Sequence, residues 1–459
     1  MTNAWKTYSE QEKQAVMDFN DAYLDFISKG KTERLCCRQI IALAEGFGYK
    51  NINDVIENHE TLKPQDKVYF NMMNKSVALF HIGNEPLEKG MNIVGSHIDS
   101  PRLDLKQHPL FEQDGLAFFD THYYGGIKKY QWLTLPLALY GVVCLKDGTT
   151  VDVAIGDHEG DPVFCVTDLL PHLASDQMKK GASEFIEGDN LDLIVGSIPT
   201  DGEEKEAVKK NVLKLLKDTY GIDEEDFISA ELEIVPQGKA HTCGLDRSMN
   251  LGYGQDDRVC AYTSLIAMLE QEDLDRTAAA LLVDKEEIGS VGATGMHSKF
   301  FENMLAEVMD AMGDYSELKV RRALQNSYAL SNDVVAAHDP NYASVSSPHD
   351  NMGKFGYGLA FAKYTGSRGK SGSNDANPEF IAKLRKIFEE AGVICQTSEL
   401  GKVDQGGGGT IAYILANYGM NVIDSGVALQ SMHSPYELSS KADVYEAKKA
   451  YKAFLKNCK

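Results

Sequence analysis

The first part of the chain has the hydrophobic pattern of two amphipathic helices. Ser9 and Glu12 fit a capping box ahead of a helix over residues 14–27. Thr32 is placed to cap a second helix, which the pattern ends near the "GFGY" segment. The chain therefore opens with helices before its first strands.

Extended runs follow these helices. The segment "KVYFNMMNKSVALFHIG" predicts two strands around Asn74-Lys75, and "MNIVGSHIDS" predicts a third strand that breaks at Ser96. Each run is bounded by turn residues, as strands usually are.

The pattern changes between residues 107 and 239. Short β-branched runs alternate with turns such as "KDGTT" and "GDHEGDP", and one highly charged helix is predicted in "DGEEKEAVKKNVLKLLKDTYG". We interpret residues 107–239 as an inserted β-rich domain, and residues 1–106 together with 240–459 as one discontinuous domain.

After Lys239, helical and extended patterns alternate. The segments in order are a helix from about Asp257 to Glu270, a strand "AAALLV", a helix "SKFFENMLAEVMDAM", a strand "SYALS", a helix "NPEFIAKLRKIFEEAG", a strand "VICQT", a helix "GTIAYILANYG" and a strand "NVIDSG". This alternation predicts an α/β fold whose sheet is covered by helices on both faces.

Composition and charge narrow the functional classes. The 459 residues include 43% hydrophobic and 25% charged residues, which is typical of globular proteins. The formal net charge of −22 would repel phosphate, so neither a nucleic-acid partner nor an anionic membrane is expected. No signal peptide or membrane span is predicted, and we expect a cytoplasmic protein with eight scattered, reduced cysteines.

Acids and histidines follow the predicted strands. Because ligands of open α/β sheets bind beyond the carboxyl ends of the strands, these side chains are expected to meet at one edge. The set, which includes one acid immediately ahead of a helix, is His97, Asp99, Asp256, Glu286, Glu287, Asp333 and His433.

This set suits divalent metal. Buried carboxylates need a cation or hydrogen bonds to compensate them. The carboxylates of Asp256, Glu287 and Asp333 with the imidazoles of His97 and His433 suit Zn²⁺, with Mn²⁺ or Co²⁺ as alternatives. Five ligands are too many for one catalytic zinc, but they serve two ions about 3.5–4 Å apart if one carboxylate bridges.

The remaining two acids suit supporting roles. Glu286 adjoins a ligand and could take a proton from water, and Asp99 could orient the His97 imidazole. Singly, each of these residues is more often a helix cap or a solvated turn. The "DQGGGG" stretch before Thr410 could cradle a carboxylate at a helix start, or could be a flexible linker.

Five motifs resemble, in order and spacing, the M18 family of metalloaminopeptidases, in its aspartyl-aminopeptidase-like bacterial branch. They are "GSHIDSPRLDLK", "GQDDRVCAY", "VDKEEIGSVGATG", "SNDVVAAHDPNY" and "MHSPYELSS". The resemblance implies a mixed-sheet zinc-exopeptidase fold between helices, with residues 107–239 as a dimerisation domain.

The resemblance also implies roles for the site residues. One ion would be held by His97, Asp256 and Asp333, and the other by Asp256, Glu287 and His433. Glu286 would be the general base and Asp99 the residue that orients His97, with a cis peptide bond between Asp256 and Asp257.

The function implied is removal of N-terminal residues, with acidic residues as the family's preference, from short peptides by a dodecamer built from dimers. The motifs depart from the family pattern at Ala336, Asp339 and Asp176, where histidines are expected, so the acidic preference stays open. The alternatives are another dinuclear amidohydrolase, such as a deacylase or carboxypeptidase, and a catalytically idle assembly or metal-binding protein of the same shape.

Overall fold

The structure, a computed structural model, describes residues 2–203, 205–347, 349, 351–366 and 368–459. Its α-helices are α1 (Glu10–Lys29), α2 (Glu33–Gly46), α3 (Ile52–Glu57), α4 (Ala207–Tyr220), α5 (Gln255–Leu269), α6 (Phe300–Ala311), α7 (Glu317–Gln325), α8 (Pro378–Glu390), α9 (Ala412–Ala416) and α10 (Lys441–Asn457).

The strands are numbered in the same way. They are β1 (Lys50–Asn51), β2 (Lys67–Met72), β3 (Ser76–His81), β4 (Asn92–His97), β5 (Arg102–Gln113), β6 (Leu116–Tyr124), β7 (Leu137–Cys144), β8 (Thr150–Ile155), β9 (Leu193–Gly196), β10 (Ala230–Pro236), β11 (His241–Cys243), β12 (Met249–Gly252), β13 (Ala278–Val283), β14 (Tyr328–Ser331), β15 (Val335–Ala336), β16 (Leu359–Ala362), β17 (Cys395–Thr397), β18 (Asn421–Gly426), β19 (Ala428–Gln430) and β20 (Glu437–Ser440).

The chain divides into two compact units. The second consists of Ser100–Lys239 with His433–Pro435, and the first contains the rest of the described chain. The strand β5 runs through Gln107, where the sequence predicts the domain boundary, and the second unit begins earlier, at Ser100. The sequence does not show this boundary, because its composition does not change where the long strand β5 begins.

The first unit is built on a mixed sheet with the strand order β1-β2-β3-β13-β4-β14-β18-β16-β17. The neighbours β13, β4, β14 and β18 are parallel, so their carboxyl ends lie at one edge. The outer pairs β3–β13 and β16–β18 are antiparallel. The predicted α/β class is therefore confirmed.

Side chains from the central strands enter two separate cores. Along β13, Ala280 and Leu282 pack with α1, α2, α5, α8 and α10, whereas Leu281 and Val283 pack with α3, α6, α7 and α9. Residues alternate between the two faces because the strand period is two, and each fully buried aliphatic side chain stabilises the fold by about 1.5–3 kcal/mol. This explains why "AAALLV" is apolar throughout.

Local signals in the sequence predict the N-terminal elements correctly. The Ser9–Glu12 capping box is present at α1, and the Thr32 hydroxyl accepts a hydrogen bond from the Leu35 amide at α2. The helix expected from Thr410 begins at Ala412 instead, because the Thr410 hydroxyl accepts a hydrogen bond from the Ala412 amide and so lies ahead of the helix.

The second unit contains an antiparallel sheet with the strand order β8-β7-β10-β5-β6-β9, together with α4. This agrees with the β-rich character predicted for the insertion. A further small sheet of the first unit has the strand order β11-β12-β20-β19-β15, and its strand β12 leads into α5. None of the helices in the described ranges has both the length and the hydrophobicity of a membrane span.

His81, at the end of β3, gives the first unit a pH-dependent element. Its side chain is 1% exposed, and Nδ1 has no hydrogen-bond partner among the described residues. Burial, and then the charges of Lys67 and Lys456, lower the pKa of His81 to about 4, while Asp273 opposes the shift.

Replacing His81 by Gln is expected to flatten the acid side of the stability profile. The folded state disfavours protonation of His81. The contribution of the neutral His81 side chain to stability is therefore complete above its unfolded pKa of about 6.5 and is lost as the pH falls towards 4. Between neutral pH and pH about 4.5, the parent should lose about 2 kcal/mol more free energy of unfolding than the variant. Urea titrations measure this, with the exposed His241→Gln as control; equal acid slopes for the parent and His81→Gln would contradict it.

Candidate metal centre

The parallel strands bring the predicted residues of the first unit to one edge. In the register of the sheet, Val283 of β13 pairs with His97 of β4, and Ser331 of β14 pairs with Gly95. Glu286 and Glu287 therefore begin a 3₁₀ turn just beyond β13, and Asp333 follows just beyond β14.

His97, Asp256 and Asp333 form a tight cluster. His97 Nε2 lies 3.2 Å from Asp256 Oδ1 and 3.9 Å from Asp333 Oδ1. Each residue offers a ligand atom, and these atoms all lie within 4.8 Å of one another. His97 and Asp256 are almost completely buried, and the side chain of Asp333 is 16% exposed.

Asp99 anchors both the imidazole and the glutamate turn. Its carboxylate accepts the backbone N–H of Glu286 at Oδ1 (3.1 Å) and that of Glu287 at Oδ2 (3.2 Å). The backbone carbonyl of Asp99 accepts a hydrogen bond from His97 Nδ1 at 3.0 Å, and Oδ1 lies 3.3 Å from the same nitrogen. His97 Nδ1 therefore carries a proton, and Nε2 faces Asp256.

The two glutamates lie near the cluster. Glu286 Oε2 is 3.9 Å from His97 Nε2, and its side chain is 15% exposed, so water can reach it. The backbone N–H of Glu287 donates a hydrogen bond to the other carboxylate oxygen of Asp99. Glu286 therefore has both the position and the solvent access that an acid–base residue needs.

His433 lies in the second compact unit, together with Ser434 and Pro435. It has a left-handed backbone conformation, with φ at 64°, and its Nδ1 donates a hydrogen bond to the Gly126 carbonyl at 2.8 Å. This bond makes Nε2 the nitrogen available for coordination. The role of His433 as a metal ligand stays a prediction.

The electrostatics of the cluster call for positive charge. Burial raises the pKa of Asp333 well above its usual value, and the carboxylates of Glu286 and Asp256 raise it further, against the effect of His97. For His97, burial lowers the pKa, but hydrogen bonds with Asp256 and Asp99 outweigh this effect and raise it. Acids crowded away from water in this way are stabilised by a cation.

The donor set fits a divalent metal. One imidazole nitrogen and several carboxylate oxygens suit a borderline cation such as Zn²⁺. The second nitrogen of His97 is already hydrogen-bonded to Asp99, as is usual for metal-binding histidines. The positions of these donor atoms and their chemical types therefore both fit a divalent metal.

The structure adds two acids that the sequence does not single out. Asp257 is fully buried and accepts the backbone N–H of His97 at 3.3 Å, and the expected cis peptide bond between Asp256 and Asp257 is present. Glu437, on β20, accepts the backbone N–H groups of Gln255 and Asp256. Neither acid ends a predicted strand, so only the tertiary contacts identify them.

The departures from the family motifs have local structural roles. Asp339 accepts the Asn341 backbone N–H and caps a 3₁₀ helix, Pro340–Val345. His338 is hydrogen-bonded to the Ser346 hydroxyl at 2.8 Å. In the second unit, Asp176 forms an exposed ion pair with Lys179 at 2.9 Å.

Comparisons with known proteins identify the family of this chain. The family profile described as "Aminopeptidase I zinc metalloprotease (M18)" matches residues 26–455. A probable M18 family aminopeptidase 1 of Clostridium acetobutylicum is 59% identical over 456 residues, covering 99% of this chain and 98% of the relative.

Solved structures show the same similarity. The crystal structure of an M18-family aminopeptidase from Thermotoga maritima superposes with a TM-score of 0.94 at 46% identity, covering 99% of both chains. That of aminopeptidase I from Clostridium acetobutylicum has a TM-score of 0.93 at 58% identity, again covering 99% of both chains.

The mixed sheet and its cluster of histidine and carboxylates define a metal-dependent hydrolase. More narrowly, the chain belongs to the M18 family, and it is a metal-dependent aminopeptidase that acts on peptide bonds. The resemblance found in the sequence motifs is therefore confirmed.

Replacing Asp99 by Asn is expected to lower kcat by about 10–100-fold, the usual effect of losing a residue that orients metal ligands. An amide has one acceptor oxygen and cannot serve the amides of Glu286 and Glu287 and the imidazole of His97 together. Steady-state kinetics at saturating Zn²⁺ measure the loss.

The matched control for this substitution is Asp443→Asn. Asp443 is also fully buried and accepts two backbone N–H groups, those of Gly356 and Gly358, at 2.8 and 2.6 Å, but it lies in α10. The Asp443→Asn substitution should lower stability and leave kcat unchanged. An Asp99→Asn variant with the parent's kcat would show that the anchor is dispensable.

Proposed function

We propose that this aminopeptidase uses two divalent ions, with Asp256 as the shared ligand. The first ion is bound by His97, Asp256 and Asp333, and the second by Asp256, Glu287 and His433. Zn²⁺ is the proposed metal, and Mn²⁺ and Co²⁺ are the alternatives. The cluster of His97 Nε2 with the carboxylates of Asp256 and Asp333 is the observation that carries this proposal.

When bound, the ions supply Lewis acidity, which polarises the scissile carbonyl and lowers the pKa of water to near 7. The remaining chemistry belongs to the protein. Glu286 takes a proton from the attacking water at its carboxylate and delivers it to the leaving amide nitrogen as the peptide bond breaks. The same group can act twice because it regains its charge when it gives up the proton.

Two observations support Glu286 in this role. The Glu286 carboxylate lies within 4 Å of His97 Nε2, as its 3.9 Å distance shows, and it keeps access to solvent. Its backbone is held by Asp99, so its reach to the cluster is fixed by a buried contact.

The proposed substrates are short peptides with a free N-terminal amine. Preference for an acidic N-terminal residue is part of the proposal. The resemblance places the segment with Lys363 and Lys370 in the substrate pocket, but the ion pairs of these two lysines do not support such a preference. Lys370 Nζ lies 3.0 Å from Asp375 Oδ2, and Lys363 Nζ lies 3.9 Å from Asp375 Oδ1, so one carboxylate already compensates both.

Glu286→Gln is expected to keep zinc and lose nearly all turnover, with kcat reduced by at least about 10²–10⁴-fold, because the amide cannot accept the proton of the attacking water. The assay uses dipeptides with free amines and measures bound zinc in the same samples. Turnover at the parent's rate would remove Glu286 from the mechanism.

The substrate panel of the same experiment tests the requirement for a free N-terminal amine. An aminopeptidase hydrolyses free-amine peptides and spares their N-acetylated counterparts, whereas a deacylase or carboxypeptidase accepts the acetylated ones. N-terminal Asp, Glu, Ala and Leu in the panel report the preference. If the parent hydrolyses none of them with Zn²⁺, Mn²⁺ or Co²⁺, the result contradicts the proposed metals and substrates.

We further propose a cytoplasmic homo-oligomer, a tetrahedral dodecamer built from dimers, with the β-rich unit as the dimerisation domain. Large apolar side chains exposed on this unit support it, among them Leu173 (68%), Met178 (69%) and Ile198 (71%). Light scattering of the purified protein is expected to give twelve times the chain mass of 50.6 kDa. A monomeric mass would contradict the assembly.

A further inference from the structure

Glu437 connects β20 to the backbone of the proposed bridging ligand. Its side chain is 1% exposed, and one oxygen, Oε2, accepts the backbone N–H of Gln255 at 2.7 Å and that of Asp256 at 3.1 Å. The carboxylate therefore binds the main chain of Asp256, whose side chain lies 3.2 Å from His97.

These two amides need an acceptor from outside their own helix. They belong to the start of α5, where the first N–H groups have no partner within the helix. Asp256 and Asp257 also depart from helical geometry, with φ and ψ of −81° and 107° for Asp256 and −114° and 28° for Asp257. Because Gln255 and Asp256 are buried, bulk water does not supply this acceptor.

A second set of contacts ties the same two segments together. The Gln255 side chain donates from Nε2 to the backbone carbonyl of Glu437 at 2.6 Å. Its Oε1 accepts the hydroxyl of Ser439 at 2.6 Å and that of Tyr23 at 3.2 Å. Ser439 therefore contacts the side chain of Gln255 but not the backbone of Asp256, which makes it a suitable control.

The sheet register explains how Glu437 reaches this place. In the pairing of β12 with β20, Gly252 lies opposite Glu437, and the chain turns at Tyr253 and Gly254 into α5. Gly254 has φ at 70°, the left-handed region that glycine adopts readily. This turn brings the first backbone amides of α5 close to Glu437, the last residue in the pairing of β12 with β20.

We propose that Glu437 is a positioning residue of the metal centre: by binding the amides of Gln255 and Asp256, it fixes where the bridging carboxylate lies. This inference rests on the proposed function, since it takes Asp256 as the ligand of both ions. A bridging ligand must satisfy two ions at once, so a displaced backbone weakens both sites. Glu437 touches neither the substrate nor the reacting atoms.

The two simplest substitutions separate geometry from charge. Glu437→Ala removes the acceptor, and the Asp256 amide is left without a partner or moves to find one. Glu437→Gln keeps an oxygen for both amides but makes neutral hydrogen bonds, which are weaker than those of a carboxylate. Zinc affinity should therefore decrease in the order parent, Gln variant, Ala variant.

Metal-stripped, full-length protein is titrated with Zn²⁺ against a chromogenic chelator at neutral pH, and thermal melting is recorded on the same samples. Glu437→Ala is expected to weaken zinc binding by about 10–100-fold, the range for lost partners of metal ligands. The KM for a dipeptide at saturating zinc should stay at the parent's value, because Glu437 makes no contact with substrate in this scheme.

The control Ser439→Ala is expected to lower the melting temperature and leave zinc affinity at the parent's value. Parent-like zinc affinity in Glu437→Ala, or an equal loss in Ser439→Ala, overturns the inference, since either result reduces Glu437 to general stability. If Glu437→Ala does not fold, Glu437→Gln decides: a loss of roughly threefold or more supports the role, and parent-like affinity overturns it.

The same titration keeps the two proposals apart. A parent protein that binds no zinc contradicts the proposed metal centre itself. A parent that binds zinc and hydrolyses dipeptides, beside Glu437 variants that bind it equally well, contradicts only the positioning role.

Discussion

The structure depends on how buried negative charge is held at the carboxyl edge of a parallel sheet. Asp256 and Asp333 face the same imidazole nitrogen, and Glu286 lies close by. Burial and mutual repulsion both favour the protonated acids, as the raised pKa of Asp333 shows. A divalent cation reverses that balance, because it compensates several carboxylates at once.

A second constraint is that the acids surrounding this cluster bind backbone amides. Asp99 holds the amides of the two adjacent glutamates, Asp257 holds that of His97, and Glu437 holds that of Asp256. In each case the residue whose amide is bound, or its neighbour in the chain, is a proposed metal ligand. Fixing the main chain leaves the side chains of the ligands themselves available for a metal, so placement and coordination are carried by different groups.

The sequence places several of the candidate site residues at the correct edge of the sheet because their positions follow from topology. A residue just beyond a parallel strand lies at the carboxyl edge whatever the remainder of the fold, so His97, Glu286 and Asp333 could be placed from strand patterns alone. The capping signals at Ser9 and Thr32 were equally informative, since their partners lie within a few residues.

Other features could not be predicted in this way. Glu437 acts through the backbone of a segment far away in the chain, and only the β12–β20 register brings them together. The second unit begins at Ser100, ahead of the predicted boundary. The sequence does not indicate this start, because its composition does not change where β5 begins. Such contacts depend on tertiary register, which no local pattern encodes.

The adjacent glutamates show how local and tertiary constraints combine. Their 3₁₀ turn is flanked by left-handed residues, Lys285 with φ at 70° and Gly289 with φ at 92°. Glycine adopts this conformation without cost, but a lysine there costs roughly 1–2 kcal/mol, which the surrounding contacts must offset. Asp99 supplies two of those contacts, one to each glutamate amide. A tight turn held in this way directs two neighbouring carboxylates differently, as the proposed roles of Glu287 in metal binding and Glu286 in proton transfer require.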